Sequence, residues 1–373
     1  MPRTRPPLAS PPVTSTSTES SAGNSGDAAA DWLELNRANW NARVPIHVAS
    51  RFYDVPGFIA GRERLCDFEI AEVGDVAGRT LLHLQCHFGL DALAWARRGA
   101  TVTGLDFSGA AVATARSLAE QIGTEDARFV ESDVYSAVDA LDGQTYDIVY
   151  TGLGALCWLP DIDRWAQTVA SLVAPGGFVY LAEFHPFADI LADDGRTVDF
   201  DYFSTQARVW DEPYTYSESE ETLSDSVSVE WQHGLADVVS ALISAGLRIE
   251  MLHEHDFTLF ARFPILQFRD GRYRFPPEQP GVPLIYSLRA SKPAWAASDV
   301  SAARELNHAS TADMSSWSIP VPESTRCSNA GPGWCATTHA WSTSVSSSSS
   351  QANGRPAARA TRARVFQDRP SWW

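Results

Sequence analysis

Residues 81–106 read LLHLQCHFGLDALAWARRGATVTGLD, and this stretch decides the fold. An apolar run, Leu81, Leu82 and Leu84, ends in a tight turn, Gln85-Cys86-His87-Phe88-Gly89. A helical pattern covers 90–98. A second β-like run, Thr101-Val102-Thr103-Gly104-Leu105, closes on Asp106. Strand, turn, helix, strand and acid form the arrangement that places a nucleoside at the carboxyl edge of a parallel sheet. A carboxylate there has two acceptor oxygens and can take both ribose hydroxyls.

The turn is poor in glycine. A dinucleotide site uses three glycines so that backbone can approach a pyrophosphate. Here Gln85 and His87 stand at two of those places and only Gly89 remains. No Gly-x-x-x-x-Gly-Lys loop occurs elsewhere. The pattern therefore points to a nucleoside without phosphates, or to a Rossmann-like unit that binds nothing.

Working outward, the spacing predicts strands over 80–85, 101–105, 127–131, 147–151 and 178–183, alternating with helices over 90–98, 108–122, 134–140 and 162–172. Ser108 is the expected cap of the second of these helices. A helix over 235–245 and strands over 247–254 and 284–290 complete a set of seven strands. The predicted fold is α/β: a Rossmann-like seven-stranded mostly parallel sheet with helices on both faces, an N-terminal helical cover and a β-rich cap insertion. The cover is a helix over 32–44 capped by Asp31, with Trp32, Leu35, Asn39 and Trp40 on roughly one face. The cap insertion is residues 186–228, where Phe and Tyr alternation breaks the helix rhythm just past the fifth strand. The domain is placed at 29–292. Residues 1–28 are rich in Pro, Ser and Thr and are expected to be a disordered tail. Residues 293–373 include Ser346–Ser350 and six of the 13 Trp without periodicity, and are expected to be a low-complexity tail, as a shifted reading frame would give.

Four segments in this order resemble the class I S-adenosylmethionine-dependent methyltransferases. LQCHFG with VTGLDFS resembles a subgroup in which this wording replaces the glycine-rich motif I. Phe129 to Val134, Tyr146 to Trp158 with its Thr-Gly-Leu-Gly, and Leu172 to Leu181 resemble the later strands of that family. The resemblance covers roughly residues 30–292. It implies S-adenosyl-L-methionine as cofactor and an antiparallel last strand. It also implies a cofactor site: Gln85, His87 and Gly89 beside the methionine part, Asp106 on the ribose with Phe107 next to it, Asp133 and Val134 at the adenine, and Thr151 and Gly152 near the methionine carboxylate or the methyl group.

Methyl transfer from a sulfonium needs alignment and exclusion of water, and needs a base only where the acceptor must lose a proton. His185 and Glu183, at the end of the fifth strand, are the candidate catalytic residues, His185 as general base. Trp158, Trp210 and Tyr214 are the candidate acceptor-binding residues, able to stack on a planar or cationic group. His233, His253 and His255 lie on different predicted elements, so no metal site is expected.

The chain has 373 residues, 44% hydrophobic, and a formal net charge of −17. Residues 29–293 hold 20 of the 29 basic and 39 of the 46 acidic side chains. Such a surface repels phosphate backbones and argues against a nucleic-acid acceptor. It suits a neutral or cationic small molecule as the methyl acceptor, or serves solubility alone. The five cysteines show no Cys-x-x-Cys pair, which suits reduced thiols and a cytoplasmic setting. No apolar run approaches a membrane span. Two other functions stay open: a non-catalytic nucleoside-binding or regulatory protein, which Gln85 and His87 in the turn keep open and the subgroup resemblance disfavours, and an NAD-dependent oxidoreductase, which the missing glycines disfavour.

Overall fold

A computed structural model describes residues 31–217 and 219–294. The expected tails, residues 1–28 and the stretch past Ala294, lie outside the described residues.

Three helices come first: α1 (Trp32–Ala49), α2 (Val55–Ile59) and α3 (Asp67–Val73). The core then alternates β1 (Thr80–Leu84), α4 (Leu90–Arg97), β2 (Thr101–Asp106), α5 (Gly109–Ile122), β3 (Arg128–Glu131), α6 (Ala137–Ala140), β4 (Tyr146–Thr151), α7 (Ile162–Leu172) and β5 (Val173–Phe184). Short 3-10 turns at Val134–Ser136 and Leu156–Trp158 precede α6 and follow β4. A cover follows: α8 (Pro186–Asp189), β6 (Arg208–Asp211) and β7 (Val227–Glu230). Then come α9 (Leu235–Ser244), β8 (Arg248–His255), β9 (Phe257–Thr258), β10 (Gln267–Arg269), β11 (Arg272–Arg274) and β12 (Ile285–Ser291).

The main sheet has seven strands in the order β3-β2-β1-β4-β5-β12-β8. β1 pairs in parallel with β2 and β4, Leu82 facing Thr103 on one side and Val149 on the other. Only β12 runs against its neighbours, Leu288 opposite Leu181 of β5 and Leu252 of β8. The order reverses at β1 and β4, which opens a crevice at their carboxyl ends.

Side chains two apart share a face, so each central strand feeds two cores. Leu82, Leu84, Val149 and Val179 pack with Trp165 of α7 and Leu242 of α9. Leu81, Tyr150 and Tyr180 pack on the other face with Leu93, Trp95 and Val112 of α4 and α5. Each fully buried leucine contributes roughly 1.5–3 kcal/mol. Ser108 caps α5, its hydroxyl accepting from Ala111 N at 3.1 Å.

Two local expectations differ, and one small sheet was not expected at all. The Asp31 side chain makes no capping hydrogen bond; only its carbonyl accepts, from Leu35 N at 3.1 Å. The buried residues of α1 are Asn36, Asn39, Arg43, Val44, Ile46 and His47, while Trp32, Leu35 and Trp40 are only half-buried: the C-terminal half of the helix reaches the core through Val44, and Trp32 and Trp40 border the cavity. A small sheet in the order β10-β11-β9 fills the stretch between β8 and β12. Its hairpin turns on Asp270 and Gly271, both with positive φ (51° and 75°), the conformation an Asp-Gly pair favours.

One close approach sets the spacing of β2. A Cβ on Gly104 would stand 2.6 Å from the Phe129 ring and 2.9 Å from Cys86 Sγ. Phe129 and Cys86 are themselves buried in the core. Gly104→Ala is expected to cost about 1–3 kcal/mol, read as a lowered urea midpoint with an unchanged m-value.

Candidate active site

The carboxyl ends of β1, β2, β4 and β5 open into a cavity of about 1300 Å³. Its floor includes Gln85, His87, Gly89, Asp106, Phe107, Asp133, Val134 and Gly152, eight of the nine residues expected to hold the cofactor. Thr151 is the exception. It is fully buried and does not line the cavity, because it still belongs to β4 and points into the sheet.

The turn keeps the backbone of a glycine-rich loop without its glycines. Gln85 and His87 have φ of 56° and 52°, and Gly89 has 82°. Left-handed backbone at non-glycine residues is costly and concentrates at functional sites. Neighbouring contacts hold this turn in place. His87 N donates to Asp106 Oδ2 at 2.7 Å, and Gln85 Nε2 donates to Ala155 O at 2.9 Å. Gly89 is glycine for packing as well as φ: a Cβ there would be 2.8 Å from both Ala115 and Phe129.

Asp106 is 6% exposed. Its second oxygen accepts from Ser108 N at 2.9 Å. Burial pushes its carboxyl up to about 6, against the backbone N–H groups of Ser108, His87 and Phe107, which lower it. Each oxygen keeps a further lone pair for a ligand. Gln85 Oε1 is buried with no hydrogen-bond partner, a free acceptor beside the turn. Asp133 Oδ1 accepts from Tyr135 N at 2.9 Å and Ser136 N at 3.2 Å, so the expected adenine-side acid also caps the turn after β3.

On the acceptor side, Trp158 and Tyr214 line the cavity. Trp158 Nε1 donates to Gly154 O at 2.8 Å, which fixes its ring. Trp210 does not line the cavity. It is buried in the cover, its ring against Phe200 and its Nε1 on Glu230 at 3.0 Å.

Neither expected catalytic group offers an atom to a substrate. His185 is 5% exposed and does not line the cavity. Its Nδ1 accepts from Phe187 N at 3.1 Å, so Nε2 carries the proton and donates to Glu254 Oε1 at 2.9 Å. Burial lowers its pKa, with Glu254 opposing. Glu183 borders the cavity but clamps the loop after β4. Its oxygens accept from Gly154 N (2.6 Å), Ala155 N (2.8 Å), Leu156 N (2.9 Å) and Phe184 N (2.7 Å). Burial lifts its carboxyl to about 7 against these donors.

Residues that sequence reading passed over complete the cover. Asn36 of α1 donates to Val229 O and accepts from Val229 N, both at 2.8 Å, so its amide pairs with β7 as a strand would. Arg37 Nε reaches Phe107 O at 3.2 Å, and Asn41 accepts from Ser108 Oγ at 2.6 Å. His47 bridges Thr215 Oγ1 (2.6 Å) and His87 Nε2 (3.3 Å). Burial first, then Arg43, lower His47 to about 3. Tyr53 and Tyr216 join through their hydroxyls. The signal for Trp40, Arg43 and His47 was their helical spacing of three and four. The signal for the sheet beyond them was Asp270-Gly271.

His233, His253 and His255 bond to Leu159 O, Glu72 and Ser287 respectively. Among the described residues no group of three or more His, Cys, Asp or Glu stands together as a metal site, and no helix is long and apolar enough to cross a membrane.

Residues 82–179 match the model of a methyltransferase domain. That span runs from within β1 into β5 and contains the turn, Asp106 and Asp133. Over 139 residues the chain is 32% identical to the ubiquinone biosynthesis O-methyltransferase of Serratia proteamaculans and 31% identical to that of Vibrio cholerae. Each match covers 36% of this chain and 56% of the relative, so the chain spans little more than half the length of these curated proteins. Among solved structures, an S-adenosylmethionine-dependent methyltransferase from Mesorhizobium loti is 19% identical, with a TM-score of 0.41, covering 62% of this chain and 99% of that one. The CcbJ methyltransferase of Streptomyces caelestis is 16% identical, with a TM-score of 0.46, covering 69% and 99%. Over the matched span the chain is similar to a methyltransferase domain.

If Glu183 clamps the loop, Glu183→Ala strands several buried backbone donors at about 1–3 kcal/mol each. The expected loss is about 3 kcal/mol or more in urea unfolding. An undiminished stability would return Glu183 to the list of candidate bases.

Proposed function

We propose that the protein is a methyltransferase that uses S-adenosyl-L-methionine and acts on a small-molecule acceptor. The observation that carries this reading is Asp106. It ends β2, opens onto the cavity, and is tied through His87 N to the left-handed turn after β1.

The residues present fit the cofactor. Asp106 would take the ribose hydroxyls, Gln85 Oε1 the amino group, and Asp133 with Val134 the adenine. His87, Gly89 and Gly152 would border the methionine chain. When bound, the cofactor supplies a methyl group on a sulfonium already activated for in-line displacement. The chain's own task is then alignment and exclusion of water, which between them account for large rate factors. Trp40, Tyr53, Trp158 and Phe184 form apolar walls for that purpose. No proton transfer is assigned to His185 or Glu183, whose polar atoms are taken by structural partners.

A small acceptor suits a concave cleft lined by apolar walls, and the acidic surface of residues 29–293 disfavours nucleic acid. The curated relatives are named as O-methyltransferases of ubiquinone biosynthesis, which supports a small-molecule acceptor without naming one for this chain. We read residues 29–292 as the catalytic domain, with 186–228 as the acceptor-side cover. Among the described residues, Cys66 and Cys86 are free thiols, in keeping with a cytoplasmic setting.

Calorimetric titration with S-adenosylhomocysteine and, separately, with NAD tests the reading. Micromolar binding of the first and none of the second is expected. Asp106→Ala should weaken the first about 100-fold, since it removes hydrogen bonds to a charged acceptor. Absence of wild-type binding would overturn the cofactor assignment. Binding without turnover on any acceptor would favour the non-catalytic reading.

The pH dependence has a defined sign. The site acts through ionised Asp106, and burial places its titration near 6. Affinity for S-adenosylhomocysteine should therefore be full at pH 7.5 and fall as pH drops through about 6. In Asp106→Asn that dependence should flatten.

A further inference from the structure

Residues 259–264, in the connection from β9 to β10, all line the cavity, and the cofactor reading uses none of them. Phe184, at the end of β5, joins this loop to the cavity floor. A Cβ on Gly154 would stand 3.1 Å from the Phe184 ring, and the Phe260 ring meets Phe184 edge to face at 5.6 Å. Arg262 Cζ lies 5.5 Å from the Phe184 centroid and 5.4 Å from that of Phe263. A single ring therefore spans the distance from the loop after β4 to Arg262.

The Arg262 side chain is 13% exposed and pairs with Asp189 of α8. That bond uses one of the five N–H donors of the guanidinium. Among the described residues the other four have no protein partner. A donor held in a half-dry wall costs free energy until something accepts from it. Asp189 decides what that something is. It already balances the guanidinium charge, so no second anion is called for. The cover also adds Asp193, Asp211, Glu212 and Glu230 to the cavity wall and, among the described residues, only Arg208 as a base. Such a wall repels a carboxylate and leaves a neutral oxygen as the matching group. The rings of Phe184, Phe260 and Phe263 offer apolar surface for a planar body. At about 1300 Å³ the cavity exceeds the roughly 300–1000 Å³ of a pocket for one drug-sized ligand, so it has room for a second molecule beside a nucleoside cofactor.

We propose that the part of the cavity walled by Phe184 and residues 259–264 takes a neutral, planar methyl acceptor, and that Arg262 selects it by donating to a carbonyl oxygen. This deepens the methyltransferase reading and rests on it. Asp189 acts through Arg262, holding the guanidinium in place.

The test uses the full chain and three probes of one shape: 4-hydroxyacetophenone, 4-ethylphenol, which lacks the carbonyl, and 4-hydroxybenzoate, which is an anion. Each is titrated with and without saturating S-adenosylhomocysteine. The wild type should bind 4-hydroxyacetophenone about tenfold tighter than 4-ethylphenol, and 4-hydroxybenzoate no tighter than 4-ethylphenol. The double variant Arg262→Met, Asp189→Asn removes the pair without stranding a charge. It should lose the preference while its S-adenosylhomocysteine affinity stays within about twofold of wild type. Arg262→Lys, which keeps the ion pair but not the fork, guards against misfolding of the double variant and should cut the preference to about threefold or less. The proposal is overturned if the wild type does not prefer the carbonyl probe, or if the preference survives in both variants. Tightest binding of 4-hydroxybenzoate would make Arg262 an anion receptor and overturn it equally. A wild type that does not bind S-adenosylhomocysteine would sink the methyltransferase reading instead, and the probes, run on the ligand-free protein, would still decide the role of Arg262.

Discussion

The carboxylate of Asp106 organises the centre of this molecule. One oxygen takes the backbone N–H of His87 and the other that of Ser108. The first bond fixes the turn between β1 and α4. The second fixes the entry into α5. One side chain thus ties together the two strand-to-helix connections that flank the crevice. It does so while buried, which raises its pKa and leaves it ionised only above about 6. The turn it holds is strained at Gln85 and His87. Glycine would relieve the strain but would remove the side-chain contacts that Gln85 makes with the loop after β4 and that His87 makes with α1.

The cover obeys a different logic from the core. The sheet buries alternating leucines and aromatics against helices, a non-directional gain set by area. The cover buries polar groups, and these demand partners one by one. Asn36 satisfies both groups of Val229, Asn41 meets Ser108, and His47 meets Thr215. α1 is therefore stitched both to the core and to the β6–β7 ribbon.

The parts legible in the sequence were those encoded by short-range pattern. Strand alternation and helix periodicity located the seven main strands and the helices between them. Ser108 was legible as a cap because its hydroxyl acts three residues away. Asp106 was legible because its place at the end of a strand follows from the chain order. Trp210, His185 and Glu183 have structural partners that the sequence did not show, for one shared reason. Each has a chemically suggestive side chain near a strand end, and in each case the direction of that side chain is set by residues far along the chain: Glu230 for Trp210, Glu254 for His185, and the loop 154–156 for Glu183.

Sequence by itself determined the doubly wound sheet, the crevice at β1 and β4, and the acid at the end of β2, because periodicity and element order are local properties. Tertiary structure alone decided which side chains face the cavity and what surrounds them. α1 meets the site across separations of roughly 40 to 190 residues, to His87 at one end of that range and to Val229 at the other. No local pattern encodes such pairings. They follow from how a polar helix face finds donors and acceptors once the sheet beneath it has formed.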